Sequence, residues 1–143
     1  MNVASILAAK GNSVFTAPPT ATVADIVATL QERNIGSIVI SDDGARVLGI
    51  VSERDIVRDL ALHGSSVLTR HVSDVMTPNV VTCSVGDSVN DLMSTMTAKR
   101  IRHLPVVDRG RLCGVISIGD VVKYRLEEVE SEANAMREYI ATG

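Results

Sequence analysis

Aromatic side chains are nearly missing from this sequence. Phe15, Tyr124 and Tyr139 make up 2% of its 143 residues, and there is no tryptophan. The core must therefore be aliphatic, built from Val, Ile, Leu, Met and Ala. The stacking platforms of a single-strand nucleic-acid binder are excluded as well. A basic excess is also lacking: the net charge is −3, so nothing global favours nucleic acid. Cysteine is scarce. Cys83 and Cys113 are too few for a disulfide framework or a zinc-ligand set, and a reducing compartment is the simplest reading. No run approaches the roughly 20 apolar residues that span a bilayer. The opening MNVASILAAKGNS has neither the basic start nor the long apolar stretch of a signal peptide. These absences predict a soluble cytoplasmic protein, with no nucleic-acid or membrane partner. What remains is an ordinary globular balance, 45% hydrophobic and 22% charged, at the length of about one compact domain.

The chain repeats itself, and such duplication governs the fold. At an offset of 66, Val23-Ala24-Asp25-Ile26 meets Val89-Asn90-Asp91-Leu92, and Arg33-Asn34-Ile35 meets Lys99-Arg100-Ile101. After a one-residue loss in a turn, the offset becomes 65. Gly49-Ile50-Val51-Ser52 then meets Gly114-Val115-Ile116-Ser117. Each copy reads as β-α-β-β-α. Ser13 to Thr16 and Asn79 to Cys83 are β-prone. Thr22 and Ser88 are N-caps with an acidic residue three positions on. The stripes Val23, Ile26, Val27, Leu30 and Val89, Leu92, Met93, Met96 have helical spacing. Strands follow at 37–40 and 104–107, turns at Asp42-Asp43-Gly44 and Asp108-Arg109-Gly110, and second strands at 48–52 and 113–117. Second helices run over 54–62 and from Gly119 onward. Gly64 to Thr77 joins the copies, with a polar break at Gly64-Ser65-Ser66 and a short helical turn near Val72 to Met76, stopped by Pro78. Each copy alone is too small to bury its sheet face well, so the two should form one unit.

Each second strand ends in the same figure: Gly, two apolar residues, Ser, two residues, Asp. It is Gly49 to Asp55 in the first copy and Gly114 to Asp120 in the second. A strand thus runs into a helix, with Ser at the N-cap and Asp in the first turn. The free N–H groups and positive end of such a helix suit a phosphate. The Asp carboxylate can accept from a ribose diol, and the apolar residue after Gly can lie against a flat base. The same figure is also a capping box that stabilises any helix without a ligand.

From about Ile6 to Leu126 the sequence resembles the CBS (cystathionine β-synthase) domain family, in the form of a stand-alone pair. The resemblance is carried by Val75-Met76-Thr77-Pro78, by Arg102-His103-Leu104-Pro105-Val106-Val107-Asp108, and by the two Ser-x-x-Asp figures. The first copy differs where Gly36-Ser37-Ile38-Val39-Ile40 stands in place of the Arg-His-Leu-Pro-Val type. The resemblance implies an α/β (α+β) fold of two tandem repeats, residues 1–65 and 66–126, packed sheet to sheet about a pseudo-two-fold axis. A C-terminal helical extension over 127–143 would follow.

It also implies a cleft with up to two adenosyl sites. One would use Asp120 and Ser117 for ribose and phosphate and Val115 against adenine, with Phe15, Ile35 and Gly36 from the first copy. The other would use Asp55, Ser52 and Ile50, with Val81, Ile101 and Arg102 from the second. Arg54 and Arg102 are the candidates for phosphate, since guanidinium matches phosphate oxygens in a bidentate way. Arg54 has no counterpart, because Gly119 stands at its place, so the two sites should differ in charge preference. The ligand expected is AMP, ADP, ATP or NAD(H), sensed as an energy or redox signal and passed to a target protein. S-adenosylmethionine is the alternative.

Other residues fit plainer roles. His63, His71 and His103 have no metal-ligand spacing. His103 either approaches the cleft beside Arg102 or fills a strand edge. The two thiols read as buried and unreactive. Ser52 and Ser117 have no histidine base in a recognisable motif, and neither a P-loop nor an acid–base pair is present, so catalysis and a catalytic cofactor are not expected. Val122, Leu126, Val129, Ala133, Met136 and Ile140 form a heptad seam. It predicts a homodimer through the C-terminal helix and repeat surfaces, and leaves a ligand-independent dimeric scaffold as the competing function.

Overall fold

The computed structural model of the chain describes residues 2–11 and 14–142. Helix α1 (Val3–Lys10) precedes the first repeat, which comprises β1 (Thr16–Ala17), α2 (Val23–Arg33), β2 (Ser37–Ile40), β3 (Gly49–Ser52) and α3 (Glu53–His63). Two 3-10 segments, Gly64–Thr69 and Val72–Asp74, lead to α4 (Val89–Lys99), β4 (His103–Asp108), β5 (Arg111–Ser117) and α5 (Ile118–Thr142). In the first repeat β1 pairs parallel with β2, and β2 antiparallel with β3. In the second, β4 and β5 are antiparallel. The duplication holds in detail: Ile38 pairs with Val51, and Leu104 with Ile116, at equivalent places.

The helix boundaries repeat too. Thr22 caps α2 in a full capping box with Asp25, and the Ser88 side chain accepts from the Asp91 N–H. The α2 and α4 helices end on Asn34 and Arg100, both left-handed at φ 53 and 54. The N–H groups of Ile35 and Ile101 then return to the carbonyls of Leu30 and Met96 at 3.1 Å, a Schellman-type closure.

Three sequence expectations change. The strand over 79–83 reduces to a single parallel bridge, Cys83 with Val106. Pro78 has no donor, and Asn79 is left-handed at φ 54, so the chain enters the sheet edge only at Cys83. The equivalent first strand lies at Thr16–Ala17, and Ser13 is outside the described residues. The polar break at Gly64 is instead a 3-10 segment that buries Val67 completely.

Each repeat has its own core, and each core is completed by the segment that precedes the other repeat. Val3, Ile6 and Leu7 of α1 lie with Val89, Leu92, Met96, Leu104, Ile116 and Val121. Val67 and Val72 of the connection lie with Val23, Ile26, Ile38, Val51 and Ile56. Burial of one such aliphatic side chain stabilises by about 1.5–3 kcal/mol, so the exchanged segments tie the two halves together. Within the helical stripes, Val23, Ile26, Leu30, Val89, Leu92 and Met96 are buried, while Val27 and Met93 stand exposed at equivalent positions. Among the described residues no helix is long and apolar enough to cross a membrane. After Val121, α5 carries no buried residue.

Candidate functional site

Two open cavities, of about 760 and 640 Å³, lie between the repeats. Gly36, His103 and Ser117 line both. Gly36 enters just before β2 and His103 at the start of β4, and the strand-to-helix turns supply the serines. At the start of α3, Ser52 and Asp55 form a reciprocal capping box. The Ser52 N–H donates to Asp55 Oδ2 at 2.9 Å, and the Asp55 N–H donates to the Ser52 hydroxyl at 3.3 Å. At the start of α5, Ser117 and Asp120 repeat it at 2.9 and 3.1 Å. The Ser-x-x-Asp figure is therefore a capping box in both repeats, and in both its serine lines a cavity.

The first cavity gathers Ile50, Ser52, Arg54 and Asp55 from β3 and α3, and Val81, Ile101 and Arg102 from the other repeat. All seven residues assigned to the Asp55 site from sequence come together there. The sequence reading missed Arg58 and Arg100. Arg58 lies one helical turn beyond Asp55 and donates to its Oδ1 at 3.1 Å. Arg100 is turned into the cavity wall by its left-handed backbone at the end of α4. The i, i+3 spacing from Asp55 was the available signal for Arg58.

The second cavity is lined by Phe15, Ile35, Gly36, Val115 and Ser117. Asp120, assigned to this site from sequence, is not among the lining residues; it is joined to the cavity by the lining residue Lys10, whose ammonium lies 2.6 Å from its Oδ2. Lys10 also donates to the Val115 carbonyl at 2.7 Å. Sequence reasoning missed Lys10, which reaches Asp120 across 110 positions. Arg33 was not foreseen here either. Its guanidinium carbon lies 4.0 Å from the centroid of the Phe15 ring, a cation–π contact on the surface where a base was expected.

His103 takes the first of its two expected positions, in the wall shared by both cavities. Burial holds its pKa below 6.5. Lys10 and Arg102 act in the same direction, while Asp120 and Glu53 oppose them. Asp120 is raised by burial, but the Lys10 ammonium and the Ser117 N–H and hydroxyl outweigh that and hold it below 3.8. Both cysteines are free. Cys83 is buried, and burial, helped by Asp87, pushes its thiol up to about 12. No group of three or more metal-ligating side chains occurs among the described residues.

Comparison with known proteins agrees with this architecture. The sequence profile of the CBS domain matches residues 9–62 and 72–127. A mitochondrial CBS-domain-containing protein of Arabidopsis thaliana is 34% identical over 126 residues. The match takes in 85% of this chain and 61% of that protein, so the chain spans less than two thirds of that relative. Among solved structures, a CBS-domain-containing protein of Agrobacterium tumefaciens is 43% identical at a TM-score of 0.85, over 87% of this chain and 99% of that one. Two others carry ligands. A CBS domain protein of Pyrobaculum aerophilum, complexed with AMP, is 28% identical at a TM-score of 0.74, over 84% of this chain and 89% of that one. The CBS domain pair of protein MJ0100, in complex with 5′-methylthioadenosine and S-adenosyl-L-methionine, is 25% identical at 0.77, over 87% and 98%. Two profile matches, two structural repeats and a pair of cavities between them place this chain in the CBS-domain family, as a tandem CBS pair.

Proposed function

We propose that this CBS pair is a regulatory binding module for an adenine nucleotide, AMP, ADP, ATP or NAD(H), and that it senses energy or redox state without turning the ligand over. One observation carries the choice of a phosphorylated ligand. The first cavity is lined by Arg54, Arg58, Arg100 and Arg102 against only two acidic residues, Glu53 and Asp55. That surplus of forked cations suits phosphate. Asp55 and Asp120 are the ribose partners, and Ile50 and Val115 the base contacts. The AMP complex of the Pyrobaculum protein supports the choice of an adenine nucleotide as the ligand class.

Because each cavity draws residues from both repeats, a ligand binds one relative placement of the halves better than another. That differential affinity is the free energy a switch can use. A target protein reads the shift, in a reducing, cytoplasmic-type compartment consistent with two free thiols. A second reading is an adenosyl ligand such as S-adenosylmethionine, which the CBS pair of MJ0100 carries together with 5′-methylthioadenosine. Homodimerisation through α5 completes the proposal, because Leu126, Val129, Met136 and Ile140 are 56–71% exposed on it.

Calorimetric titration of nucleotide-stripped protein with AMP, ATP, NAD, NADH and S-adenosylmethionine tests this, repeated on Asp55→Ala and Asp120→Ala. Heat from one ligand class, with one site lost per variant, is the expected result. Silence across the panel would leave a ligand-independent scaffold.

A further inference from the structure

A single cation in the wall of the second cavity holds two acceptors. Lys10 Nζ donates to Asp120 Oδ2 at 2.6 Å and to the Val115 carbonyl at 2.7 Å. The first half is built otherwise. There the carbonyl of Ile50, the equivalent of Val115, accepts the backbone N–H of Thr77 at 2.8 Å. The Asp55 carboxylate meets Arg58 of its own helix. Two halves that agree in sequence thus neutralise their carboxylates differently. One uses a local pair on a helix face; the other uses a flexible four-carbon stem reaching in from a different segment.

Lys10 is the last residue of α1, and Gly11 follows it at φ 96, a backbone that favours glycine. Val3, Ile6 and Leu7 anchor the helix in the second core. The root of the lysine is therefore fixed, while its side chain is 39% exposed. Asp120 Oδ2 already accepts the Ser117 N–H. A ribose diol that takes both oxygens of this carboxylate competes with the ammonium on Oδ2, and the displaced, still tethered ammonium is stabilised by an anion within one side chain's reach. An uncharged nucleoside supplies none, whereas a nucleotide brings its own phosphate.

We propose that Lys10 is the specificity-determining residue of the second cavity: it holds Asp120 closed against uncharged nucleosides and yields it to adenine nucleotides, whose phosphate takes over the ammonium. This rests on the nucleotide reading above.

The test titrates AMP and adenosine into a chain carrying Asp55→Asn, which weakens the first site while keeping the shape of its cap. Lys10, Lys10→Gln and Lys10→Arg are compared in that background. With Lys10, AMP should bind about tenfold or more tighter than adenosine, the size of a charge-assisted contact. Lys10→Gln should strengthen adenosine, weaken AMP and bring their ratio near unity. Lys10→Arg should keep the preference. Equal weakening of both ligands by Lys10→Gln would make Lys10 mere structural support and overturn the inference. So would an unchanged ratio, or an unchanged adenosine affinity. If the Lys10 chain binds no AMP that Asp120→Asn abolishes, the nucleotide reading of this cavity itself fails, and the Lys10 inference with it.

Discussion

Leu7 of α1 packs flat against Gly114 of β5. A Cβ built at Gly114 would lie 2.5 Å from Leu7 Cδ2. Met76 stands over Gly49 in the same way. The glycine that opens each Ser-x-x-Asp figure is thus the seat for the segment arriving from outside the repeat. Gly114→Ala should push α1 off its seat and destabilise the chain by about 1–3 kcal/mol, the usual cost of overpacking. Urea unfolding measures it. Because Leu7 supplies the clash, Leu7→Ala in the same chain should recover part of the loss, and a double-mutant cycle reads that coupling.

Acid should expose the Lys10–Asp120 pair. The folded Asp120 carboxyl is held below its ordinary 3.8. Its contribution is therefore complete above that value and fades as pH falls from about 3.8 through the folded pKa. The pair is partly exposed, so the effect is at most about 1 kcal/mol. Urea midpoints between about pH 5 and pH 2 should fall more steeply in the wild type than in Asp120→Asn, with Lys10→Gln in between.

How much of this was legible follows from range. The two Ser-x-x-Asp figures, the turns and the helix caps are local patterns, and the 66-residue offset repeats them, so the sequence exposed them twice. The residues assigned to the Asp55 site could be named because the family resemblance implies them, and they gather in one cavity. The role of α1 was not. Val3, Ile6 and Leu7 form one short stripe without a second copy, and their core partners lie some 80–115 positions away. Lys10 was invisible for the same reason. The absence of a strand at 79–82 was open to reasoning, since Pro78 removes a donor and Asn79 accepts a left-handed backbone. The β-branched run Val80-Val81-Thr82 spoke louder.

His103 links the two cavities through its charge. Its pKa lies below 6.5 because it is buried, with Lys10 beside it. The unfolded chain therefore takes up a proton first, and stability falls as pH drops from about 6.5 through the folded pKa. An anionic ligand in either cavity should raise that pKa, and adenosine should do so far less than AMP. The imidazole proton resonances of His103, followed by NMR with His103→Asn for assignment, check both statements.

The thiols offer a probe of the second core. With its pKa pushed up to about 12, Cys83 carries almost no thiolate at pH 8, and it is buried as well. It should react with a disulfide reagent only as the second repeat opens. Cys113 is half-buried, with its thiol raised by burial and by Asp108, and should react slowly but before Cys83. Mass-resolved labelling in increasing urea gives the order. Cys83 modified in the native state would show that the α1-completed core opens locally.

The last prediction concerns α5. Its seam residues Val122, Leu126, Val129, Met136 and Ile140 are between 49 and 71% exposed, and Val121 is the helix's one buried residue. A helix that overruns its core by some five turns gains nothing from its own domain there, and an isolated amphipathic helix is marginal in water. A second copy supplies the missing surface, since heptad spacing makes the seam self-complementary. Glutamate at Val129 and Met136 should therefore convert a dimer to a monomer in light scattering, while the two cores, which these residues do not touch, keep their packing. Unchanged mass would locate the subunit contact elsewhere, with Val57 of α3 and Val122 of α5, exposed at equivalent places in the two repeats, as the surface to alter next.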